Sequence, residues 1–471
     1  MLYKCIRILF LLFIAASTAF AEYRKIVVVG AGLAGLTTAY RLQQFTGEPV
    51  EVYEARLRVG GRVLTTHFYD SHEELGAKFL CVTDAKYLKA IIKEMGLEIE
   101  DYTTPITNRK SDYKGKIFPY YAAFIKSPNP DESTYDRLKK WSSEEKNLGA
   151  VLDLFFAKQE FPRYLTEIRM RGFEGNDTKN LSVEYLDSFW NYYNKCYLIG
   201  HGEAQNIVHH ETIKGGNSRL PEKLAETLKN HIHLGQPLRK ISMTYEGKFL
   251  LEFPNSKTVT TDYLVLAIPC STLKEIKIDK GMIPSDQWEA IKTLQYGTNA
   301  NILISVTMNN EDAAEYSVTE DTIVWFNKDR KILTLAYGGD VGIFNSRSSE
   351  DVVKKIKGEL PALKMLFPSM KYTGRKQAVS WINEEYSKGS VSSWGIGQFE
   401  LFNESMESLD EKVRKVFRPI KNRIFFAGEH ASIDHPATME GAVESGEVTA
   451  RMIARVLKAS VKEKETTGPG S

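Results

Sequence analysis

Three glycines, Gly30, Gly32 and Gly35, close the β-branched run "KIVVV" and open the helically spaced stretch "LTTAYRLQQF". A glycine-rich turn in that position can hold a pyrophosphate. The first glycine permits a tight turn, the second lets a phosphate approach the backbone, and the third lets helix pack on strand. The helix N-terminus adds free N–H groups and partial positive charge. The next strand, "PVEVYEA", ends at Glu54, where a carboxylate can accept hydrogen bonds from an adenosine ribose. An acid there disfavours a 2′-phosphate and so argues against NADP. "RLRVGGRV" then sets Gly60 and Gly61 before Arg62, a second flexible turn ending in a cation close to where phosphates would lie.

The elements that must position these groups are legible around them. "KIVVV" reads as a buried parallel strand. "PLRKISMTYEGKFLLEF" reads as two strands turning at Glu246-Gly247, and "DYLVLAIP" as a further buried strand closed by Pro269. Near the far end, "NRIFFAGE" is an apolar strand reaching Gly428-Glu429; after "HASIDHPA" a helix starts at "TMEGAVESGEVTARMIARVL", with Thr438 as its N-cap. Between the two ends, residues 105–205 crowd aromatics into "LFFAKQEFPRYL" and "YLDSFWNYYNKCYL" at helical spacing, and most of these rings are expected in a core.

Taken together, "VVVGAGLAGL", "VEVYEARLRVGGRV", "ELGAKF", "IKGGNSRLPEKLAETL" and "FAGE" resemble the flavin-containing amine oxidase superfamily, the monoamine, polyamine and L-amino-acid oxidases. The resemblance implies an α/β fold, a Rossmann-type FAD-binding domain with an inserted α+β substrate domain. The sequence's own changes of character divide the chain into an expected signal peptide at 1–21, FAD-binding stretches 22–104, 206–275 and 401–460, an inserted substrate domain in 105–205 and 276–400, and a flexible tail at 461–471. The resemblance implies noncovalent FAD held by Gly30, Gly32, Ala34, Gly35, Glu54, Ala55, Arg56, Gly61, Arg62, Gly76 and Ala77. The backbone near Leu238 would read the adenine, and Gly428, Glu429, Thr438, Met439 and Ala442 would line the ring side. The last helix would aim its positive end at the pyrimidine edge of the flavin.

On the substrate side the resemblance assigns catalytic positions to Asn301, Trp381 and Lys78. Asn301 stands where many family oxidases carry a lysine linked to reaction with oxygen, Trp381 in an expected aromatic place, and Ser390, Val391 and Thr438 where monoamine oxidases have a covalent cysteine and two cage tyrosines. Phe79 occupies the position of a carboxylate-clamping arginine, with Lys78 beside it as a point charge. The expected activity is oxidation of a small amine or amino acid, with molecular oxygen reduced to hydrogen peroxide. Asn301 favours as alternatives a dehydrogenase or desaturase using another electron acceptor, and the missing family residues a flavin-binding protein without turnover.

Composition excludes other classes. Of 471 residues, 42% are hydrophobic and 26% charged, enough for a large core in two domains. "MLYKCIRILFLLFIAASTAFA" has the basic start, apolar run and small-x-small end of a secretion signal, and its run is too short to span a bilayer. Its removal takes Lys4 and Arg7 and no acid, bringing the formal charge from +2 to zero, so nothing favours nucleic acid or a membrane surface. The expected location is periplasmic or secreted. Cys81, Cys196 and Cys270 then remain, too few for a disulfide framework, with at least one free thiol expected. His209-His210 and "HIH" at 231–233 lack matched ligands, so no metal is expected.

Overall fold

The computed structural model describes residues 24–80, 85–101, 104–105, 109–203, 207–208, 210–309 and 316–466. The expected signal peptide, Cys81, His209 and the end of the expected tail lie outside them. Five parallel strands form the first sheet, in the order Ile232–His233, Val50–Tyr53, Ile26–Val29, Tyr263–Leu266, Ile424–Phe426. Burial on both faces explains why the central strands read as unbroken Val, Ile and Leu rather than alternating.

Two helices cover one face of this sheet: Leu33–Thr46, which follows the first strand, and Met439–Thr466. They approach closely because Gly446 lacks a side chain; a Cβ there would lie 2.7 Å from the Ala34 carbonyl oxygen. The Thr38 hydroxyl donates across the contact to the Gly446 carbonyl at 3.3 Å. Glu440, fully buried, accepts the Tyr87 and Leu88 amides at the start of helix Lys86–Glu94 and so docks a third helix on the last one. Thr438 caps as its sequence suggests, accepting the Gly441 amide at 3.0 Å.

The other face carries a four-stranded sheet in the order Thr258–Thr261, Phe249–Glu252, Lys240–Met243, Lys277–Ile278, with the expected hairpin turn at Gly247. The domain boundary expected at 276 cuts through this layer. Lys277–Ile278 completes its sheet, and helix Ser285–Thr293 buries Ala290 and Ile291 in the same core as Val27 and Leu264.

A seven-stranded sheet forms the second body, ordered Lys371–Ser380, Ala300–Thr307, Ile332–Tyr337, Ile323–Phe326, Tyr316–Val318, Lys110–Tyr113, Lys116–Pro119. Register puts Asn301, Ala336, Ile323, Trp325 and Tyr316 on its front face, which meets Leu75 and Phe79. Its back face packs Ile302, Leu335 and Val324 against helix Ser349–Leu366. Beside it, helices Leu148–Phe156, Glu160–Glu174 and Leu186–Gly200 bury Phe155, Phe156, Phe189 and Tyr193 in one aromatic core. Those rings are core, as expected. No helix among the described residues is long and apolar enough to cross a membrane.

Candidate active site

A cavity of about 730 Å³ opens off the carboxyl ends of four strands of the parallel sheet. Gly30, Glu54 and Ala267, immediately after three of them, and Gly428, two residues beyond the fourth, all line it. This is where an open α/β sheet places a ligand. Gly30 adopts φ +107° under the Ala267 carbonyl, and a Cβ there would come within 2.5 Å of that oxygen. A Cβ on Gly35 would fall 2.0 Å from the Gly30 carbonyl oxygen, so this glycine serves helix-on-strand packing.

The open side of the turn has the complementary property. A Cβ on Gly32 would meet nothing within 4 Å, and this residue starts helix Leu33–Thr46 with no side-chain cap and no acid in the first turn. Gly32 and Ala34 line the cavity, leaving uncapped helix amides beside it, the donor set a pyrophosphate requires. Glu54 is buried, with one carboxylate oxygen on the Ala31 amide and the other on the Arg56 amide, both at 2.8 Å. Each oxygen retains acceptor capacity for a ribose hydroxyl. Leu238, at the rim, neighbours Gln236, whose buried side-chain oxygen has no partner among the described residues. The residues present therefore fit an adenine dinucleotide.

Across the cavity, Arg62 joins the two ends of the chain. Its guanidinium donates to the Ser390 carbonyl at 2.6 Å and to Glu429 at 2.8 Å. Glu429 also accepts from the Ser392 amide and hydroxyl and from the Ala437 amide. Burial pushes the Glu429 carboxyl up, but the Arg62 charge and these donors outweigh it and hold the group below the usual carboxylate range. Next to it, burial lowers His430 to about 4, so the imidazole is neutral near pH 7; its Nδ1 has no partner among the described residues. Arg56 reaches the Ser387 hydroxyl at 2.8 Å, pinning the segment "EYSKGS" to the cavity wall.

Ala55, Gly61, Ala77, Thr438, Met439 and Ala442 also line this cavity, as do Ser390 and Val391. Gly35 and Gly76 do not; a Cβ on Gly76 would sit 2.1 Å from the Arg62 carbonyl oxygen, so it brings the "ELGAK" turn against the second glycine loop. Asn301, Trp381 and Lys78 also lie outside the lining. Both Asn301 Nδ2, at 3.1 Å, and Trp381 Nε1, at 3.2 Å, donate to the Leu75 carbonyl. Lys78 Nζ lies 4.6 Å from the Trp325 ring centroid, while Phe79 stacks on His210 at 3.9 Å. Burial lowers the Lys78 ammonium to about 8 against the pull of Glu73 and Glu74.

Two contributors escaped the sequence reading: His430 and Gln236. The adjacency of His430 to "FAGE" was the available signal; Gln236 has none. His231 and His233 do have an acidic partner, since both bond to Glu51, at 2.9 and 2.6 Å, across adjacent parallel strands. No cluster among the described residues is arranged to hold a metal ion. Cys196 and Cys270 are buried free thiols outside the cavity lining.

Residues 33–454 match the family described as flavin containing amine oxidoreductase. The chain belongs to that family. It is an FAD-dependent oxidoreductase acting on amines or amino acids, with the Rossmann-type fold and substrate domain of flavin amine oxidoreductases. An L-amino-acid oxidase of Sistrurus catenatus edwardsii is 22% identical, the match covering 93% of this chain and 88% of the relative. The flavin-containing amine oxidase A of Canis lupus familiaris is 24% identical over 95% and 88%. Among solved structures, cyclohexylamine oxidase from Brevibacterium oxydans IH-35A superposes with a TM-score of 0.71 at 17% identity, covering 93% of this chain and 100% of that one. Putrescine oxidase bound to putrescine gives 0.68 at 18%, covering 92% and 99%.

Proposed function

We propose that this flavin amine oxidoreductase is an exported oxidase of a primary or secondary amine or amino acid, with oxygen as acceptor and hydrogen peroxide as product. The observation that carries the reading is the Arg62–Glu429 bond, which ties the second glycine turn to the end of the last parallel strand beside one cavity. Bound in this cavity, FAD would supply the hydride-accepting chemistry that converts an amine to an imine, which water then hydrolyses. The chain's own groups position and shield. The uncapped amides of helix Leu33–Thr46 hold negative charge, and Glu54 fixes a ribose. The N-terminus of helix Met439–Thr466 supplies a positive dipole end at the opposite wall.

Asn301 and Trp381 act as positioning residues, since both fix the Leu75 carbonyl and hence the turn that carries Lys78. Lys78, charged below about pH 8, offers a point charge to a substrate carboxylate. Ser390 at the position of the family's covalent cysteine supports a noncovalent flavin. Anaerobic titration with a panel of amines and amino acids, followed by air, tests the proposal: a substrate bleaches the bound flavin and air restores it. A flavin that no amine or amino acid bleaches refutes it.

One observation favours a different acceptor. Asn301 spends its amide hydrogen on Leu75 and offers no cation where oxygen would be reduced. Oxygen uptake compared with dye reduction separates the two readings, and faster turnover with oxygen than with any dye removes the second.

A further inference from the structure

Helix Ser349–Leu366 does not fully cover the back face of the seven-stranded sheet. Where Lys110–Tyr113, next to the edge strand, joins the sheet, a second cavity of about 750 Å³ remains, sharing no lining residue with the dinucleotide cavity. That size lies within the range of small-molecule sites. Asp112 lines it from the strand next to the edge, Glu359 from the helix, and Glu320 and Asp321 from the turn between Tyr316–Val318 and Ile323–Phe326. Asp351 adds a fifth carboxylate, against two lysines, Lys354 and Lys355.

Two of these acids are buried. Asp112 is 4% exposed, and its Oδ1 has no hydrogen-bond partner among the described residues. Glu359 is 7% exposed, and one of its oxygens accepts the Thr319 hydroxyl at 2.7 Å. Burial lifts the Glu359 carboxyl to about 7, and Asp321 and Asp112 push it the same way against Thr319 and Lys355. Burial and Glu320 raise Asp112 likewise. Lys355 lies 5.0 Å from the Tyr337 ring centroid and only partly balances the acids. Mutually repelling buried carboxylates, one with an unmet acceptor, are relieved by a cation. Phe344 and Met365 complete the walls, so the site is apolar as well as acidic. Apolar walls beside the acids suit an organic cation, whose carbon chain they can cover, better than a hydrated metal ion.

We propose that this back-face cavity binds an aliphatic diamine or polyamine, its ammonium pairing with Asp112 and Glu359 and its methylenes lying along Phe344 and Met365. The site is separate from the redox cavity, and the inference holds whichever amine is oxidised. Binding draws Glu359 into its ionised form and releases a proton near pH 7.

Anaerobic calorimetric titration of the FAD-loaded protein with putrescine, with flavin absorption read in parallel, tests it. The expected result is a binding event that leaves the flavin spectrum unchanged, releases protons at pH 7 and weakens roughly ten- to hundredfold in Asp112→Asn and Glu359→Gln. Ala362→Trp, which fills the cavity from the helix without touching a carboxylate, abolishes it, and butane-1,4-diol does not bind. Melting curves confirm that each variant is folded. Equal affinity in the parent and all three variants, comparable binding of the diol, or no heat from the folded parent at millimolar putrescine overturns the proposal. Flavin bleaching by an amine is read separately and bears only on the oxidation reading.

Discussion

Arg62→Met removes the cation that ties the second glycine loop to the far end of the chain. The Glu429 carboxylate it leaves behind is 6% exposed and keeps only the Ser392 amide and hydroxyl and the Ala437 amide. Breaking a buried pair from one side costs about 3–5 kcal/mol, because the other charge stays buried and unbalanced. Adding Glu429→Gln restores much of that loss, so the double variant is more stable than the two single effects predict. Urea denaturation of the FAD-loaded protein at pH 7.5, with bound flavin measured by absorption, reads both quantities. The pH dependence has a definite sign. Because Glu429 is held below its unfolded value, its stabilisation is fully present above the ordinary carboxylate range and is lost as pH falls through the lower folded value. The gap between parent and Arg62→Met therefore narrows in acid. A variant within about 1 kcal/mol of the parent that retains full flavin, with additive effects in the cycle, refutes the reasoning.

Gly30→Ala forces a Cβ to within 2.5 Å of the Ala267 oxygen at φ +107°, and is expected to give protein that neither retains FAD nor matches the parent's melting temperature; a yellow, equally stable variant contradicts the turn's role. His430 titrates at about 4 in the fold against 6.5 unfolded, so the parent loses about 3 kcal/mol relative to His430→Phe as pH falls across that interval. Parallel stability curves for the two proteins exclude the shift. Lys78→Met raises KM for an amino acid but not for the corresponding decarboxylated amine, and the parent's preference fades above about pH 8 as the ammonium deprotonates. An equal effect on both substrates removes the carboxylate contact.

The parts of the site carried by local sequence were legible. A glycine turn and its helix are covalent neighbours, so Gly30, Gly32 and Gly35 reveal their roles by spacing, and Thr438 announces its cap. Groups matched through space were not. Glu51 meets His231 and His233 only because strands some 180 residues apart pair in parallel. Asn301 and Trp381 converge on the Leu75 carbonyl, and a backbone acceptor leaves no trace in side-chain pattern. The boundary expected at 276 failed because Lys277–Ile278 adds by strand pairing to a sheet begun at Lys240, beyond the reach of a composition change. Asp112, Asp321 and Glu359 are far apart in the chain and share no spacing signal; only the folded sheet and the back helix bring them together.

Flavin stoichiometry of the purified protein tests the central claim, that both ends of the sequence build a single FAD cavity, most directly. Acid precipitation of the native protein should release one FAD per chain into the supernatant, and Glu54→Ala and Arg62→Met should each lower that yield. A colourless protein that takes up no added FAD, or flavin that stays with the precipitate, would contradict it.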